Sequence, residues 1–576
     1  MLNLTIEQKP IAALFSDADT DFLIPDYQRP YAWGETECQT LWDDIKAFAF
    51  PDDDRTKFNP KEKYFLGSIV TFINDETGKQ EIIDGQQRLT TLMLLLRAFY
   101  ARFGGMKDSE SQKTMESIGK CIWKTDEFGN PIKSELKIMS EVASDDDKDE
   151  FLSILQNGAA PKDTMKSRYA ENYRFFQERI EEFLQVYPGY FAYLPIRILN
   201  NCILLPIKTE SQGAALTIFS TLNNRGMPLS DADIFKAQFY KYYSALGKKQ
   251  QFIAQWRELE EATAKIFHPI TGTPMDELFT RYMYYERAKQ GNKNSTTEAL
   301  RKFYEKNGYA LLKNETTFQN LIDLCTFWTD VANQNPERFS ERVLRRLFVL
   351  NYAPNGMWTY IVSVYYMHKR DDNGALDDTE FYEFLNLITA YIWTYAIINP
   401  GVNALRTPVY AQMVNIVNND PIAFTGFDLG HVQTAFQNFT FKNGRPITKS
   451  MLAWWAFHDD TQGLLSLETA FEIEHIYAKK RAEKEPLKAE RNIESLGNKA
   501  LLEKRINIRA SDYRFSDKIG FYLGTTGKRQ KDATKIQELL TLARSRTDFT
   551  EADIVERETE IIESFIKYLA SNKLAV

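Results

Sequence analysis

The sequence predicts an α+β chain that is predominantly helical, with an α/β segment first, a helical middle region, and a C-terminal block of strand, loop, strand and helix. Three observations predict it. The first hundred residues alternate β-branched runs with helical ones. From about Tyr169 the apolar residues recur at mainly helical spacing. After "KSMLAWWAFHDD" the pattern returns to short strands.

The elements follow in order. "DFLIPDYQRPYAW" reads as extended, and "GETECQTLWDDIKAFAF" as a helix with Glu35 or Thr36 near its start. "KYFLGSIVTFIND" and "QEIIDG" are the arms of a hairpin turned by "DETGK". The helix after it places Leu89, Leu92, Met93, Leu96 and Phe99 on one face, at spacings of three and four. Further on, an Asn-Arg-Gly turn precedes Ser230, which with Asp233 makes a capping-box start for another helix. Aromatic-rich helices then run to about Gly444. "LETAFEIEHIYAKK" and "ESLGNKALLEK" are strands separated by a charged loop, and "RINIRASDYRFSDKIGFY" brings the closing helix. These shifts set expected boundaries at 1–168, 169–442 and 443–576.

Composition narrows the class. A chain of 576 residues exceeds one ordinary domain, and 43% hydrophobic with 26% charged residues supports large cores rather than disorder. The apolar run "EFLNLITAYIWTYAIINP" reads as too short and too interrupted for a membrane span. "MLNLTIEQKPIAALF" lacks the basic-then-apolar pattern of a secretion signal. Cys38, Cys121, Cys202 and Cys325 have no metal or redox spacing and read as reduced thiols of a cytoplasmic protein. Net charge is −8, yet Lys479 to Lys531 holds 15 Lys/Arg against 7 Asp/Glu. A basic segment on an acidic body suits a confined polyanion site, or else a solvated helical surface.

Two clusters carry chemistry. At "DGQQR", Gly85 permits a turn that side chains resist, the following helix points free N–H groups at it, and Arg88 adds a fork of donors for phosphate oxygens. Asp84 suits a metal ion or a water, Gln86 and Gln87 a phosphate, base edge or sugar; an ordinary polar helix cap is the alternative. Near the C-terminus, Glu474 and His475 sit in a β-like run, with Asn498 and Asn507 downstream. A neutral imidazole can take a proton near pH 7, worth about 10²–10⁴-fold in rate. A hard cation such as Mg²⁺ takes oxygen ligands, which Glu474 and Asn507 offer. Asn498 is placed to fix the loop that orients His475. His268, His368 and His431 stand in unremarkable contexts, and His458 lies where a helix should end, as a dipole partner would.

"IPDYQRPYAW", "YFLGSIV", "IIDGQQRLTTL" and "FSTLNNRGMPLSDADIFKA" resemble, in order and wording, the GmrS-type N-terminal domain, a relative of the ParB/sulfiredoxin-like fold. The resemblance implies nucleoside triphosphate binding and hydrolysis at Asp84, Gly85, Gln86, Gln87 and Arg88, with Gln28, Arg29, Gly67 and Ser68 lining the pocket. It also marks Asn223, Arg225, Gly226 and Asp233. "EIEHI", "LGNKALL", "RIN" and "RFSDK" resemble the GmrD-type nuclease domain, a His-Me finger (HNH) ββα-metal fold. That likeness implies His475 as base, Glu474 and Asn507 as metal ligands, and Asn498 as the orienting amide. The chain departs from the pattern with Tyr477-Ala478 where a proline is usual and Lys499 where an apolar residue is usual.

Both likenesses together resemble a single-chain GmrSD-type type IV restriction enzyme. They imply a nucleotide-responsive DNA endonuclease or nickase of antiphage defence, dependent on Mg²⁺ or another divalent cation and directed at modified foreign DNA. Lys479, Lys480, Lys499, Arg505, Arg509, Arg514 and Lys518 are the candidate DNA contacts. No membrane partner is expected; self-association is left open. The rival readings are a nucleotide-gated DNA-binding regulator with an inactive nuclease module, and an RNA-directed nuclease that stops the infected cell.

Overall fold

The computed structural model describes residues 5–15, 21–26, 28–74, 78–142, 145, 147–158, 167–209, 214–215, 218, 230–526 and 531–576. The chain forms two compact units, Met1–Arg257 and Glu258–Val576.

The first unit is organised by a mixed sheet. Its elements are β1 (Thr5–Ile6), β2 (Lys9–Pro10), α1 (Ile11–Phe15), β3 (Phe22–Ile24), α2 (Glu35–Ala49), β4 (Tyr64–Ile73), β5 (Gln80–Asp84), α3 (Gln86–Phe103) and α4 (Ser109–Ile122). There follow the hairpin β6 (Trp123–Thr125) and β7 (Pro131–Leu136), then β8 (Ile138–Ser140), α5 (Lys148–Asn157), α6 (Arg168–Val186), α7 (Tyr193–Asn201) and β9 (Cys202–Thr209). The strand order is β1-β9-β4-β5-β3-β8, with β2 also on β9. β4 and β5 pair antiparallel, as the hairpin reading expects, while β9 runs parallel to β4 from Tyr64↔Cys202 to Phe72↔Thr209.

Alternation along the central strands builds two apolar layers. Ile69, Ile82 and Leu204 face the larger core with α3, whereas Val70, Ile83 and Ile207 face a smaller cluster that includes Ala237. The predicted stripe of α3, Leu89, Leu92, Met93, Leu96 and Phe99, is wholly buried. Ser230 and Asp233 exchange the expected capping-box bonds at the start of the helix Asp231–Ala245. Asn223, Arg225 and Gly226 lie outside the described residues.

The boundary expected between residues 168 and 169 falls inside this unit. The reason is β9: "CILLPIKT" is apolar and β-branched enough to fill a central position in the sheet, although helices flank it.

The second unit is helical until β10 (Phe471–His475) and β11 (Lys499–Glu503), an antiparallel pair followed by the short helix Lys504–Ala510. The strand–loop–strand–helix reading holds here, with a helical turn, Lys479–Lys484, inside the loop. The boundary expected at 442/443 also falls within one unit: Ser450 Oγ donates to Tyr352 O at 2.6 Å, and Lys449 Nζ to Phe471 O at 2.5 Å. The helix Asp378–Ile398, 21 residues long, corrects the sequence reading of its apolar run as too short. By length and composition it could cross a membrane, but its apolar window is 67% buried within the protein.

The long helix Glu551–Ser571 closes against the turn before β11. A Cβ on Gly497 would collide with Ile554 O and stand 2.8 Å from Glu558 N, both backbone atoms that cannot step aside. Gly497→Ala should therefore lower stability by about 1–3 kcal/mol or more through overpacking. Denaturant unfolding of the variant checks this, and an unchanged midpoint would contradict it.

Candidate functional site

The first predicted site forms the expected strand–turn–helix. β5 ends at Asp84, Gly85 takes a left-handed conformation (φ 93°), and α3 begins at Gln86. Gly85 also lies close to the neighbouring strand: an added Cβ would sit 3.1 Å from Ser68 O. The side chains divide by role. Gln87 Oε1 accepts from Ala32 N at 2.7 Å and Trp33 N at 3.3 Å, while its Nε2 donates to Pro30 O. Gln28 Nε2 donates to Ile82 O and Ile83 O. These two amides bind the extended segment to the sheet and helix and have little left for a ligand.

The remaining groups are less committed. Gln86 Oε1 and Arg29 Nε are buried without a hydrogen-bond partner. Arg88 Nη1 donates to Ser68 O at 2.9 Å, and its guanidinium packs where a Gly67 side chain would stand. Burial pushes the Asp84 carboxyl up, opposed by the Gly85 N–H and by the charges of Arg88 and Arg29. Among the described residues, the cavity beside Arg29 and Gln86 is about 10 Å³, room for a water and not for a nucleotide.

The second site lies on the β10–β11 ladder, where His475 pairs with Lys499 and Glu474 with Ala500. Successive strand residues point to opposite faces, and the partners of Glu474 and His475 differ accordingly. Glu474 is buried; its Oε1 accepts from Tyr522 Oη at 2.5 Å and from Lys518 Nζ at 2.8 Å. Lys518 Nζ also donates to His475 O at 2.6 Å. The His475 ring instead meets Glu494, with Nε2 3.9 Å from Oε2, too long for a hydrogen bond; Nε2 is buried and unbonded. Glu494 accepts from Lys479 Nζ and from Lys499 Nζ, each at 2.5 Å.

Asn498 holds the segment after His475. It is fully buried: Oδ1 accepts from Tyr477 N at 2.7 Å, and Nδ2 donates to Tyr477 O and Ile493 O, each at 3.1 Å. Three hydrogen bonds of one amide thus tie the turn at Tyr477-Ala478 to the approach to β11.

The predicted DNA contacts separate by burial. Lys479, Lys480, Arg505 and Arg514 are exposed, and Arg509 is half-buried. Lys499 and Lys518, expected on the DNA surface, are instead buried, because they neutralise Glu494 and Glu474 inside the domain. Sequence reasoning missed Glu494 and Tyr522. Glu494 sits among many charges in "ERNIESLGNK"; the one available signal was Lys499 at an apolar-type strand position, which demands a buried counter-charge nearby.

The donor set does not fit a divalent cation as predicted. The charge of Glu474 is already met by an ammonium and a phenol, His475 faces a different carboxylate, and Asn507 is half-buried on the helix after β11. Among the described residues no three His, Cys, Asp or Glu side chains converge as a cage, whereas Mg²⁺ wants near-octahedral oxygens.

Residues 11–240 match the family model described as GmrSD restriction endonuclease, N-terminal domain, and residues 431–564 match that of the C-terminal domain of GmrSD restriction endonucleases. No curated protein matches the chain.

Burial, together with the charges of Lys499, Lys479 and Lys518, pushes His475 down to about 3, against the pull of Glu494. The ring should therefore stay neutral in the free protein between about pH 5 and 8, where an ordinary histidine titrates. Because the unfolded chain takes up that proton near its usual value and the folded one does not, this group subtracts stability as pH falls below about 6.5. NMR of the His475 ring checks it, and a midpoint near 6.5 would contradict the geometry.

Proposed function

The chain belongs to the GmrSD restriction endonuclease family, and from that premise we propose that its C-terminal region hydrolyses DNA phosphodiesters with His475 as general base. One observation carries the reading. A neutral imidazole, next to the Asn498-clamped turn, faces a carboxylate that is itself held by the ammonium groups of Lys479 and Lys499.

The chemistry follows from the charges. Glu494 opposite Nε2 favours the tautomer with the proton on Nε2, so Nδ1 carries the accepting lone pair. A water held at Nδ1 passes its proton to the ring as its oxygen attacks phosphorus, and the negative charge of the bound phosphate raises the ring's affinity for that proton above its value in the free protein. The bond to the sugar oxygen breaks, and the leaving oxygen takes a proton from solvent. Lys479, about half exposed, offers an ammonium to the phosphate oxygens. With His475 neutral, Lys479, Lys499 and Lys518 outnumber Glu474 and Glu494 by one positive charge, which favours a phosphate over an empty site. Lys480, Arg505, Arg509 and Arg514 extend positive charge beyond it for backbone contacts.

The N-terminal unit has a second role in this reading: the Asp84–Arg88 turn, whose cavity of about 10 Å³ must widen to admit it, binds a nucleoside triphosphate and couples its hydrolysis to cutting of modified foreign DNA in the cytoplasm. The free donors of Arg29 and Arg88, the unbonded Gln86 carbonyl and the N-terminus of α3 support it.

His475→Ala should lower the rate of cutting of modified phage DNA by about 10²–10⁴-fold, while circular dichroism melting stays that of the parent. Nucleotide turnover should be retained in that variant and lost in Asp84→Ala. Gel assays of matched modified and unmodified DNA, with an RNA control, check the cutting, and phosphate release from nucleoside triphosphate checks the turnover. Wild-type cutting by His475→Ala would discard the base, and preferential cutting of RNA would discard the substrate.

A further inference from the structure

The helix Phe515–Tyr522 buries Phe515, Lys518 and Tyr522, residues spaced by three and four along one face. Lys518 thus stands in an inward stripe where an apolar residue is usual, and it is only 1% exposed. Phe515 packs against the rings of Tyr522 and Phe549, which seats the helix in the domain.

Two donors of this face, one helical turn apart, reach β10. Lys518 Nζ and Tyr522 Oη both donate to Glu474 Oε1, at 2.8 and 2.5 Å. Lys518 Nζ also donates to His475 O at 2.6 Å. The strand geometry explains why that carbonyl is available. In an antiparallel pair, successive residues turn their backbone groups to opposite sides. Ile476 N donates to Asn498 O at 2.9 Å, so the backbone groups of the preceding residue, His475, face away from β11. The sheet has two strands, and among the described residues no third strand stands beside that edge. Lys518 supplies there the donor that a neighbouring strand would supply. His475 is therefore held from two sides: Asn498 fixes Ile476 and Tyr477, and Lys518 fixes the carbonyl of His475 itself.

We infer that Lys518 is a positioning residue for cutting, an inference that rests on His475 as the general base. The ammonium sets the peptide from which the imidazole projects, and it does so without touching DNA. A phosphate contact at the surface governs affinity and its dependence on salt. A buried brace on the base governs turnover instead, since a misplacement of about 1 Å costs about 10²-fold.

The test uses the full chain. Lys518→Met alone would strand the Glu474 charge in the interior, so the informative variant is Glu474→Gln with Lys518→Met. It removes both charges, leaves Tyr522 an amide oxygen to donate to, and makes a replacement of a buried pair that is often neutral for stability. Its melting temperature should stay near that of the parent. On modified phage DNA its kcat should fall about 10²-fold, while KM and the salt dependence stay those of the parent. A crystal structure of this variant should show the His475 ring displaced, with the 3.9 Å separation of Nε2 from Glu494 Oε2 lengthened. In Glu474→Gln alone, which keeps Lys518 on His475 O, the ring should stay in place. A ring unmoved in the double variant would overturn the proposal, and so would a parent-like kcat or a loss carried by KM. A parent that cuts no DNA would sink the nuclease reading instead, and the position of the ring would then decide whether Lys518 holds it.

Discussion

The C-terminal site depends on burying a lysine. Lys499 opens β11 with no exposure at all, so its ammonium has lost all its water. Removing one partner of such a buried pair costs about 3–5 kcal/mol, because the survivor remains charged and dry. Glu494 is therefore fixed in place, and so are Phe441 O and Asn443 Oδ1, which take the other hydrogens of Lys499. Burial alone would push Glu494 up, but the bonds from Lys479 and Lys499 outweigh it and hold the carboxylate below its usual range. His475, across the ladder from Lys499, inherits that environment. It stays uncharged because three ammonium groups and a poor solvent surround it.

The same device recurs on the other face of β10. Glu474 and Lys518 are both buried and paired, and Tyr522 completes the carboxylate. Two carboxylates on two faces of one strand, each matched by lysine, leave the ladder rigid and slightly positive. That is a different logic from a cation cage, where carboxylates are left unpaired so that a metal can neutralise them. In this domain the ammonium groups are already part of the chain.

How much of this was legible depends on the range of the determining contact. The β4–β5 hairpin, the buried stripe of α3 and the Ser230 cap are set by residues a few positions apart, and all three were readable. β9 was not, because whether "CILLPIKT" becomes a strand is decided by β4, whose paired residues lie 137 or 138 positions earlier. The sign of a charge was readable and its burial was not. Lys499 and Lys518 look like Lys479 and Lys480 in the sequence, yet the first two are interior counter-ions and the others face solvent. Gln28 and Gln87 mislead similarly. Their amides resemble ligand contacts in a motif, and the fold spends both on backbone carbonyls and N–H groups.

The N-terminal turn shows why a motif can conserve chemistry and structure in the same residues. Gly67 has φ 127° and leaves a space that the Arg88 guanidinium occupies, at 2.6 Å from where a Cβ would be. Burial lowers Arg88 while Asp84 supports it, so the two charges are placed close in a poorly solvated corner. Neither is fully satisfied by its neighbours: Arg88 gives one hydrogen bond to Ser68 O, and the Asp84 carboxyl stays raised. If Gln87 were freed to reach a ligand, Ala32 and Trp33 would lose their acceptor and the extended segment would detach from α3. In the proposed nucleotide-binding role the contacts would come from Arg29, Gln86 and Arg88, the groups with bonding capacity left, while Gln28 and Gln87 keep the frame around them.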